Sequence, residues 1–396
     1  MFSIFPIKGT ISDIEGFYCN GISAGLKANN KLDMGFIYSD SLCDVEAVFT
    51  KNNFKAAPLR HFLQYDKNFK TNFILINSKN ANAMTGTNGI KDIDELFKSL
   101  KEKFSLIENP IMSSTGVIGV RIPKEKILNG AFSFNLSDKN GTNLSSAIMT
   151  TDAYAKTTFY EVKLEDGTSF KIGAVAKGAG MINPNLATML CFVCTDAAIP
   201  KSDMKELLSQ NSKTTFNAIS VDGDTSTNDT VLLLANGKSN SYDKDAFAES
   251  LRLVMHDMAM MIVADGEGAK KAVAFEVNGA MNDKEAEVIA KSLSNSLLVK
   301  TALFGEDPNW GRIASTIGAS GMSCDETKLT ISFGDIVVYK KGEILFTPEL
   351  EKEAAQILKE KSFKITCDIG LDNGSFTAWG CDLGYEYVKI NADYRT

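Results

Sequence analysis

A threonine at the junction of a loop and an apolar segment has the clearest potential for covalent chemistry in this sequence. Thr188 lies within KGAGMINPNLATMLCFVCTD (residues 177–196), which begins with a glycine-rich turn and a Pro-Asn loop and continues as an apolar strand through Val193. Glycine and Pro-Asn pairs favour tight turns, and the small residue Ala187 leaves the Thr188 hydroxyl sterically open. This pattern fits two interpretations, a buried strand threonine and a nucleophile.

A threonine hydroxyl is a weak nucleophile near neutral pH and requires a base close to it. The sequence contains only two histidines, His61 and His256. His61 has no catalytic motif around it, and His256 lies in a predicted helix over residues 245–263. Its position there is opposite the apolar stripe, so we expect His256 at the surface. A catalytic device that needs no histidine is therefore the first hypothesis to consider.

The α-amino group of a threonine at a chain terminus is such a device. Its pKa of about 7.7–8.0 is close to physiological pH, and it is attached to the nucleophilic residue itself. Cleavage between Ala187 and Thr188 would create this group. The Gly/Pro loop would press the hydroxyl against the Ala187 carbonyl, giving an N-to-O acyl shift followed by hydrolysis. The expected products are two chains, 1–187 and 188–396, held together by a shared core.

Motifs along the chain resemble one known family. The segment KGAGMINPNLATML, with TDA at 195–197, resembles the self-cleaving junction of the ornithine acetyltransferase (glutamate N-acetyltransferase) family of arginine biosynthesis. Other segments resemble that family in the same order: STGVIG (114–119), TTD (150–152), DGEGA (265–269), DPNWGRI (307–313) and INADYRT (390–396). One departure is Lys79 in the loop SKNANAMTG, where the family usually has glycine.

The resemblance implies roles for individual residues. Thr188 is the nucleophile, freed by cleavage after Ala187, and Thr115 with Gly116 forms an oxyanion hole for both cleavage and turnover. One lost oxyanion donor typically costs about 2.7–4 kcal/mol. The implied substrate-binding residues are Thr150 (with Thr151 as a close competitor), Lys177 at the substrate carboxylate, Thr188, Glu267 at the amino-acid head or distal amine, Asn391 and the terminal Thr396.

The family reaction implied by the resemblance is a double displacement. N-acetylornithine acetylates Thr188, ornithine leaves, and glutamate takes the acetyl group; some members also accept acetyl-CoA. No cofactor or metal is implied, and the chains 1–187 and 188–396 are expected to pair as a heterotetramer. Two other interpretations stay open. One is a self-processing aminopeptidase or amidase that passes the acyl group to water. The other is an unprocessed binding protein with a structural Thr188.

The pattern of elements predicts a mixed α/β protein, and the chain is long enough for two domains. The resemblance implies a four-layer α-β-β-α sandwich over residues 1–273, and the βαββαβ-like order after it predicts a smaller α+β domain over 274–396. The predicted elements are strands and hairpins in 1–60, strands at 71–77, 168–176, 275–277, 328–333 and 336–340, and helices at 93–104, 202–210, 245–263, 283–293 and 348–361.

Composition excludes several classes of function. The net charge of −7, from 42 basic and 49 acidic residues, disfavours a nucleic-acid partner. No apolar stretch is long enough to span a membrane, and the start MFSIFPIKG lacks a basic segment typical of a signal peptide. The seven scattered cysteines suit reduced thiols in the cytoplasm. The polar loop 221–229 resembles a calcium loop but lacks its glycine and final glutamate, so no metal site is expected.

Overall fold

The computed structural model describes residues 2–183 and 189–393, which form two β-sheets with helices packed against them. The strands are β1 (Phe2–Pro6), β2 (Phe17–Ile22), β3 (Met34–Phe49), β4 (Lys70–Asn77), β5 (Ile111–Ser114), β6 (Lys156–Leu164), β7 (Ser169–Lys177), β8 (Leu190–Thr195), β9 (Thr230–Ala235), β10 (Ala272–Ala280), β11 (Thr330–Phe333), β12 (Ile336–Lys340), β13 (Glu343–Ile344), β14 (Ser362–Asp368) and β15 (Gly374–Cys381). The helices are α1 (Ala57–Phe62), α2 (Gly86–Lys103), α3 (Lys124–Phe132), α4 (Gly141–Ala147), α5 (Lys201–Thr214), α6 (Lys244–Ala264), α7 (Asp283–Asn295), α8 (Leu297–Phe304), α9 (Trp310–Ala319), α10 (Pro348–Ile357) and α11 (Tyr385–Asp393).

The first sheet runs in the order β1-β6-β7-β8-β9-β3-β4-β5, and β2 also pairs with β3. Strand β3 is long enough to serve two parts of this sheet. Its first half pairs with β2 and β4, and its second half pairs with β9. A change of register between Tyr38 and Cys43 separates the two halves. Such an irregularity bends a strand, and β3 therefore connects the two halves of the sheet.

The two halves of the first sheet share one apolar core. Ile74 and Ile76 of β4 lie in the same buried cluster as Leu190 and Phe192 of β8. Because side chains alternate between the faces of a strand, the neighbouring residues of β4 and β8 must point away from this cluster. The two sheet halves are therefore packed face to face, with the shared cluster between them.

Helices cover the two outer faces of this sandwich. Phe73 and Leu75 of β4 pack into a cluster with Leu96 of α2 and Ile127 of α3. The opposite outer face belongs to another cluster, which joins Val193 of β8 to residues of α5 and α6. The order of layers is helices, sheet, sheet, helices. This arrangement confirms the predicted four-layer α-β-β-α sandwich.

Strands β8 and β9 lie inside the first sheet, between strands that precede them in sequence. Residues Leu190 to Thr195 of β8 pair antiparallel with β7 on one side and parallel with β9 on the other. Strand β9 in turn pairs antiparallel with β3. The segment after residue 188 thus begins with two adjacent strands whose outer neighbours both come from the segment before it.

The second sheet has the order β13-β12-β11-β14-β10-β15 and carries its own core with α7 to α10. The predicted strand–helix succession is correct in outline, but α8 and α9 follow α7 and were not expected. Strand β15 connects this sheet to the sandwich, because Ser220 N–H donates to the Trp379 carbonyl at 2.8 Å. The proposed domain boundary between residues 273 and 274 falls just inside β10 and stays a prediction.

The seven cysteines are free thiols, and all except Cys324 are buried. Cys191 and Cys194 belong to the apolar clusters on opposite faces of β8, as expected for core residues rather than metal ligands. Within residues 2–183 and 189–393, no helix combines the length and apolar character required to cross a membrane.

Candidate active site

A small cavity between the two sheet halves brings together residues from distant parts of the chain. Its volume is about 70 Å³. The residues that line it and were selected from the sequence are Thr115, Gly116, Thr150, Thr151, Lys177, Glu267 and Asn391. Ala187, Thr188 and Thr396 lie outside the described residues. Met181, before Ala187 and Thr188, lines the cavity, and Leu190, the first residue of β8 after them, pairs with the lining residue Lys177.

Secondary-structure ends position these side chains. Thr115 follows β5 directly, and Lys177 is the last residue of β7. Thr150 comes shortly after α4, and Glu267 comes shortly after α6. Asn391 lies on α11, the helix near the chain terminus. Loops that follow strands and helices are suited to positioning functional side chains, because the rigid elements hold both ends of each loop.

A buried network of charges lies beneath the cavity. Asp152 Oδ1 accepts from Lys156 Nζ at 2.8 Å and from the Gly178 N–H at 2.6 Å. Lys156 also contacts Asp265 Oδ2 at 2.5 Å, and Lys177 Nζ lies 4.0 Å from Asp152 Oδ2. The side chains of Lys156 and Asp152 are fully buried. Buried charges are tolerated when they are paired and hydrogen-bonded in this way.

The network changes the protonation behaviour of its members. Burial opposes ionisation of Asp152, but Lys177 and Lys156 outweigh it and lower the pKa of Asp152 to about 2. Burial lowers the pKa of Lys177, and Asp152 with Glu267 opposes that effect. Asp152 therefore carries a negative charge at neutral pH, and it favours the charged form of Lys177 at the base of the cavity.

The contacts of Asp152, Lys156 and Asp265 were not predicted from the sequence, although two of the three lie in recognised motifs. Asp152 ends TTD, and Asp265 begins DGEGA. Neither was given a role, because the resemblance directed attention to Thr150 and Glu267. Lys156 has no local signal. Its partner Asp265 is separated from it by 109 residues.

The candidate oxyanion hole has one donor already engaged. The Thr115 N–H donates to the Asn77 carbonyl at 3.0 Å, so Thr115 can contribute to an oxyanion only through its hydroxyl. That hydroxyl oxygen lies 3.5 Å from Lys177 Nζ, a long contact in which the ammonium is the donor. A hydroxyl that accepts from a cation keeps its own hydrogen for another acceptor. For the predicted oxyanion hole, the Thr115 hydroxyl is therefore the group of Thr115 that stays available as a donor.

Gly116 is constrained to be glycine by its backbone and by its neighbours. Its φ angle is +130°, and a Cβ atom built on it would lie 2.2 Å from the Lys79 carbonyl carbon. Lys79 itself has a φ of +72°, a left-handed conformation that glycine adopts without strain. Lys79 therefore adopts a conformation suited to the glycine that the family usually has at this position. The Val117 N–H donates to the Lys79 carbonyl at 3.1 Å, so the residue after Gly116 is also held against Lys79.

The polar loop between residues 221 and 229 forms hydrogen bonds with the segments on both sides of the cavity. Asp222 accepts from the N–H groups of Met181 at 2.5 Å and Ile182 at 2.8 Å. Asn228 donates to the carbonyls of Ala81 at 2.7 Å and Ser114 at 2.8 Å. The aspartate thus holds the loop that begins at Lys177, and the asparagine holds the residue before Thr115. This explains the polar composition that resembled a calcium loop in the sequence.

Glu267 and Asn391 form a pair at the cavity wall. Asn391 Nδ2 donates to Glu267 Oε2 at 2.7 Å and to the Tyr387 carbonyl at 3.0 Å. Glu267 is buried, and its N–H donates to the Ala179 carbonyl at 2.8 Å. A Cβ atom at position 180 would lie 2.4 Å from the Glu267 carboxyl carbon, so Gly180 provides the room for this carboxylate. The predicted glutamate and asparagine therefore lie at the same part of the cavity wall.

A second, larger cavity adjoins the first through Thr150, which lines both. Its volume is about 560 Å³, and its lining includes the lysines Lys27, Lys31 and Lys79. Burial lowers the pKa of Lys27 to about 8, while Asp33 and Asp152 oppose the decrease. Lys27 Nζ donates to the Leu32 carbonyl at 2.8 Å. The described lining of the larger cavity thus contains three lysines and one acidic residue, Asp152.

Neither histidine belongs to the described lining of the smaller cavity. His61 is buried beside Asp94, at 3.3 Å. His256, expected at the surface, is half-buried, with its ring against Trp379 at 5.8 Å between centroids. The expectation failed because strand β15 packs on the face of α6 that the local pattern marked as polar. Among the described residues, no group of His, Cys, Asp and Glu has the arrangement of a metal site.

Comparisons with known proteins agree over the whole chain. Residues 18–396 match the profile of the ArgJ family. An "Arginine biosynthesis bifunctional protein ArgJ" from Wolinella succinogenes is 58% identical over 396 residues, covering 100% of both chains. The protein of that name from Caldanaerobacter subterraneus subsp. tengcongensis is 41% identical, covering 98% of this chain and 99% of its own.

A crystal structure of the bifunctional protein ArgJ from Bacillus halodurans is 43% identical, with a TM-score of 0.48, and covers 50% of this chain and 96% of its own. The family profile and the identities to the two whole-length relatives are each sufficient to assign the family. The chain belongs to the ArgJ family.

Proposed function

We propose that this protein transfers the acetyl group of N-acetylornithine to glutamate through an acetyl ester of Thr188, in arginine biosynthesis. The observation that carries the proposal is the convergence on one cavity of Thr115, Gly116, Lys177 and Glu267, from separate segments of the chain. The names of the ArgJ relatives place them in arginine biosynthesis and describe them as bifunctional. The proposal assigns that activity to the cavity described here.

Each described group has a task in the proposed reaction. The Thr188 hydroxyl attacks the acetyl carbonyl, and the amine of ornithine leaves with the proton. The developing oxyanion is stabilised by the Thr115 hydroxyl and the Gly116 N–H, a type of contact worth about 2.7–4 kcal/mol. Lys177 binds the substrate carboxylate, and Glu267 with Asn391 binds an amino group. Glutamate then attacks the ester and restores the Thr188 hydroxyl.

The proposed double displacement requires only one amino acid at the site, because the first product leaves before the acceptor enters. Both amino acids carry an α-carboxylate, so one lysine serves both half-reactions.

The first experiment tests cleavage and transfer together. The purified protein is expected as two fragments, and N-terminal sequencing of the second should begin Thr-Met-Leu-Cys. Acetylornithine with glutamate should give ornithine and acetylglutamate catalytically, whereas acetylornithine alone should release about one equivalent of ornithine. Continuous release without glutamate would favour the aminopeptidase or amidase interpretation. Thr188→Ala should stay intact and inactive, and an intact, active wild type would refute the mechanism.

The choice between two adjacent threonines requires its own comparison. Thr150 and Thr151 both line the cavity, and the Thr150 N–H donates to Asp152 Oδ2 at 2.9 Å. We propose Thr150 as the substrate contact, since this bond fixes its backbone. Thr150→Ala should therefore raise the KM for acetylornithine by about tenfold, while Thr151→Ala should change it by less than about threefold. The reverse order would assign the role to Thr151.

A second activity, acetylation of glutamate by acetyl-CoA, is supported by the larger cavity. Ligand sites of this kind typically have volumes of about 300–1,000 Å³, and the lysine-lined cavity of about 560 Å³ falls within that range. Phosphate groups are bound by ammonium groups such as those of Lys27, Lys31 and Lys79. Thr150 lines both cavities, so this space adjoins the smaller cavity proposed for acetyl transfer.

Charge reversal of an exposed lysine tests this second activity. Lys31→Glu should raise the KM for acetyl-CoA at least about tenfold and leave the KM for acetylornithine within about twofold. Lys359→Glu, which reverses an exposed charge on the second domain, serves as the matched control. Equal effects on both donors, or none on acetyl-CoA, would contradict the assignment of the cavity.

The remaining parts of the proposal concern partners and location. The chains 1–187 and 188–396 are proposed to form a heterotetramer in the cytoplasm without a cofactor or metal. The negative net charge gives no support for a nucleic-acid partner. Mass measurement of the native protein, with metal analysis of the same sample, tests the assembly and the metal-free state.

A further inference from the structure

The two amino acids of the proposed reaction carry opposite charges at the ends of their side chains. Ornithine ends in an ammonium group, and glutamate ends in a carboxylate. Both have an α-carboxylate, which Lys177 can bind in either case, but a group of fixed charge cannot attract both side-chain ends. The side chain of glutamate therefore requires a contact that ornithine does not use.

The wall of the smaller cavity formed by Glu267 and Asn391 is suited to the ammonium end. Glu267 is buried, and its carboxylate would repel a second carboxylate. Both hydrogens of Asn391 Nδ2 have acceptors, which are Glu267 Oε2 at 2.7 Å and the Tyr387 carbonyl at 3.0 Å. Only the side-chain oxygen of Asn391 is left for a ligand, and that oxygen accepts hydrogen bonds. A glutamate side chain that pointed here would meet two acceptors and no donor from this pair.

The larger cavity supplies further cationic groups. Among the described residues that line the smaller cavity, Lys177 is the single cationic side chain, and the proposed reaction assigns it to the α-carboxylate. The larger cavity adjoins the smaller one at Thr150 and contains three lysines. A side chain that extends past Thr150 therefore reaches a space in which a carboxylate can be bound.

The ammonium group of Lys27 is anchored beside the segment that carries Thr150. It donates to the Leu32 carbonyl at 2.8 Å and, over a long contact of 3.4 Å, to the carbonyl of Ala147, the last residue of α4. Thr150 follows shortly after Ala147 in the chain and lines both cavities. Since an ammonium group has three hydrogens to donate, one N–H of Lys27 stays available for a ligand.

The surroundings of Lys27 favour an anionic ligand. Burial lowers the pKa of Lys27 to about 8, while Asp33 and Asp152 oppose that effect, so the group is mostly charged at pH 7. Within the described residues Lys27 forms no ion pair. Asp33 accepts from backbone N–H groups of the loop that carries Lys27, and Asp152 is paired with Lys156 at 2.8 Å. A partly buried cation without an ion pair gains from the approach of a carboxylate.

We propose that Lys27 binds the side-chain carboxylate of glutamate, an inference that rests on the proposed function. The two amino acids share Lys177 for their α-carboxylates and extend their side chains in different directions. Ornithine extends toward Glu267, and glutamate extends past Thr150 into the larger cavity. Acetyl-CoA, which is proposed for the same cavity, donates its acetyl group before glutamate enters, so the two ligands need not fit together.

The test compares two recipients of the acetyl group in Lys27→Met, which keeps an unbranched side chain and removes its charge. Transfer to glutamate is measured as acetylglutamate, and transfer to ornithine is measured as exchange of labelled ornithine into acetylornithine. The KM for glutamate should rise at least about tenfold, because a hydrogen bond to a charged group is lost. The KM for ornithine should stay within about threefold, because its side chain does not contact Lys27. A merely structural role of Lys27 would change both values alike.

Lys126→Met is the matched control. Lys126 Nζ donates to the Gly25 carbonyl at 2.9 Å, so it contacts the same loop as Lys27, but it lies outside the described lining of both cavities. Its KM for glutamate should stay within about twofold of wild type. A rise equal to that of Lys27→Met would assign the effect to the loop and overturn the proposal.

The remaining outcomes separate the role of Lys27 from the proposed function. Equal changes for glutamate and ornithine in Lys27→Met, or a KM for glutamate within about threefold of wild type, overturn the role of Lys27 alone. A wild type that neither exchanges ornithine nor forms acetylglutamate refutes the proposed function itself. If Lys27→Met does not fold by circular dichroism, Lys27→Gln, which can still donate to the Leu32 carbonyl, replaces it under the same criteria.

Discussion

Replacing Asp152 by asparagine tests the buried charge network. The variant keeps the size of the side chain and its ability to accept from the Gly178 N–H, but it removes the negative charge that faces Lys156 and Lys177. Lys156 retains Asp265 at 2.5 Å, whereas Lys177 loses a carboxylate 4.0 Å away. The change therefore affects stability through the network and substrate binding through Lys177.

The lowered pKa of Asp152 gives the size of its contribution to stability. The folded protein lowers that pKa from 3.8 to about 2, and one pKa unit corresponds to about 1.36 kcal/mol. Ionised Asp152 thus contributes about 2 kcal/mol of stability at pH 7, and the group is too buried for solvent to reduce this strongly. A depressed pKa gives stability that is present above pH about 4 and is lost as pH falls toward 2. At pH 3 roughly half of the contribution should remain.

Urea titrations of wild type and Asp152→Asn at pH 7 and pH 3 measure this difference. The variant should unfold with a free energy at least about 2 kcal/mol lower at pH 7, and the gap should shrink by roughly half at pH 3. Its KM for acetylornithine should rise about tenfold or more because the charged form of Lys177 loses support. Asp335→Asn, at an exposed position, controls for the chemistry of the substitution. A gap below about 0.5 kcal/mol at pH 7, or one independent of pH, would refute the coupling of these charges.

Other changes to the site have outcomes that can be measured separately. Gly116→Ala places a Cβ 2.2 Å from the Lys79 carbonyl carbon, so unfolding free energy should fall by about 2 kcal/mol or more and gel analysis should show impaired cleavage. Lys79→Gly removes left-handed strain of about 1–2 kcal/mol but adds unfolded-state entropy, and its urea midpoint should stay close to wild type. Asn391→Ala removes the bond to Glu267 and should raise the KM for acetylornithine without slowing cleavage. Deletion of residues 395–396 should raise the KM for acetylornithine or abolish transfer, because misplacing a bound substrate by about 1 Å can lower the rate about 100-fold. Cleavage and the melting temperature should stay nearly unchanged.

Regular elements with a strong periodic pattern were predictable from the sequence. The buried strand at 71–77 and the helix with its apolar stripe at 245–263 correspond closely to β4 and α6. The helix α9, which begins at Trp310 within the motif DPNWGRI, was missed. Only Ile313 and Ile317 of α9 are buried, and its two glycines weaken the helical signal. Packing against neighbouring helices, which the local pattern does not contain, stabilises it.

The candidate site was predictable where motifs mark it and not where partners are distant in sequence. The lining of the cavity contains Thr115, Lys177, Glu267 and Asn391 as expected, while their functional roles stay predictions. Lys156 begins a strand with the sequence KTTFYEVKL, in which a lysine ordinarily faces solvent. Its complete burial depends on an aspartate at the end of α6, which no periodicity in the strand reveals.

The position of β8 and β9 inside the first sheet has a consequence for the proposed cleavage before Thr188. Both strands belong to the segment after residue 188, yet their outer neighbours β7 and β3 belong to the segment before it. A chain that starts at 188 would leave both outer edges of this strand pair without partners, and unpaired edges promote aggregation. The proposed cleavage before Thr188 would therefore have to follow folding. Two subunits made in that way would have a one-to-one stoichiometry fixed by their common translation product, and the cell would need no separate control of their amounts.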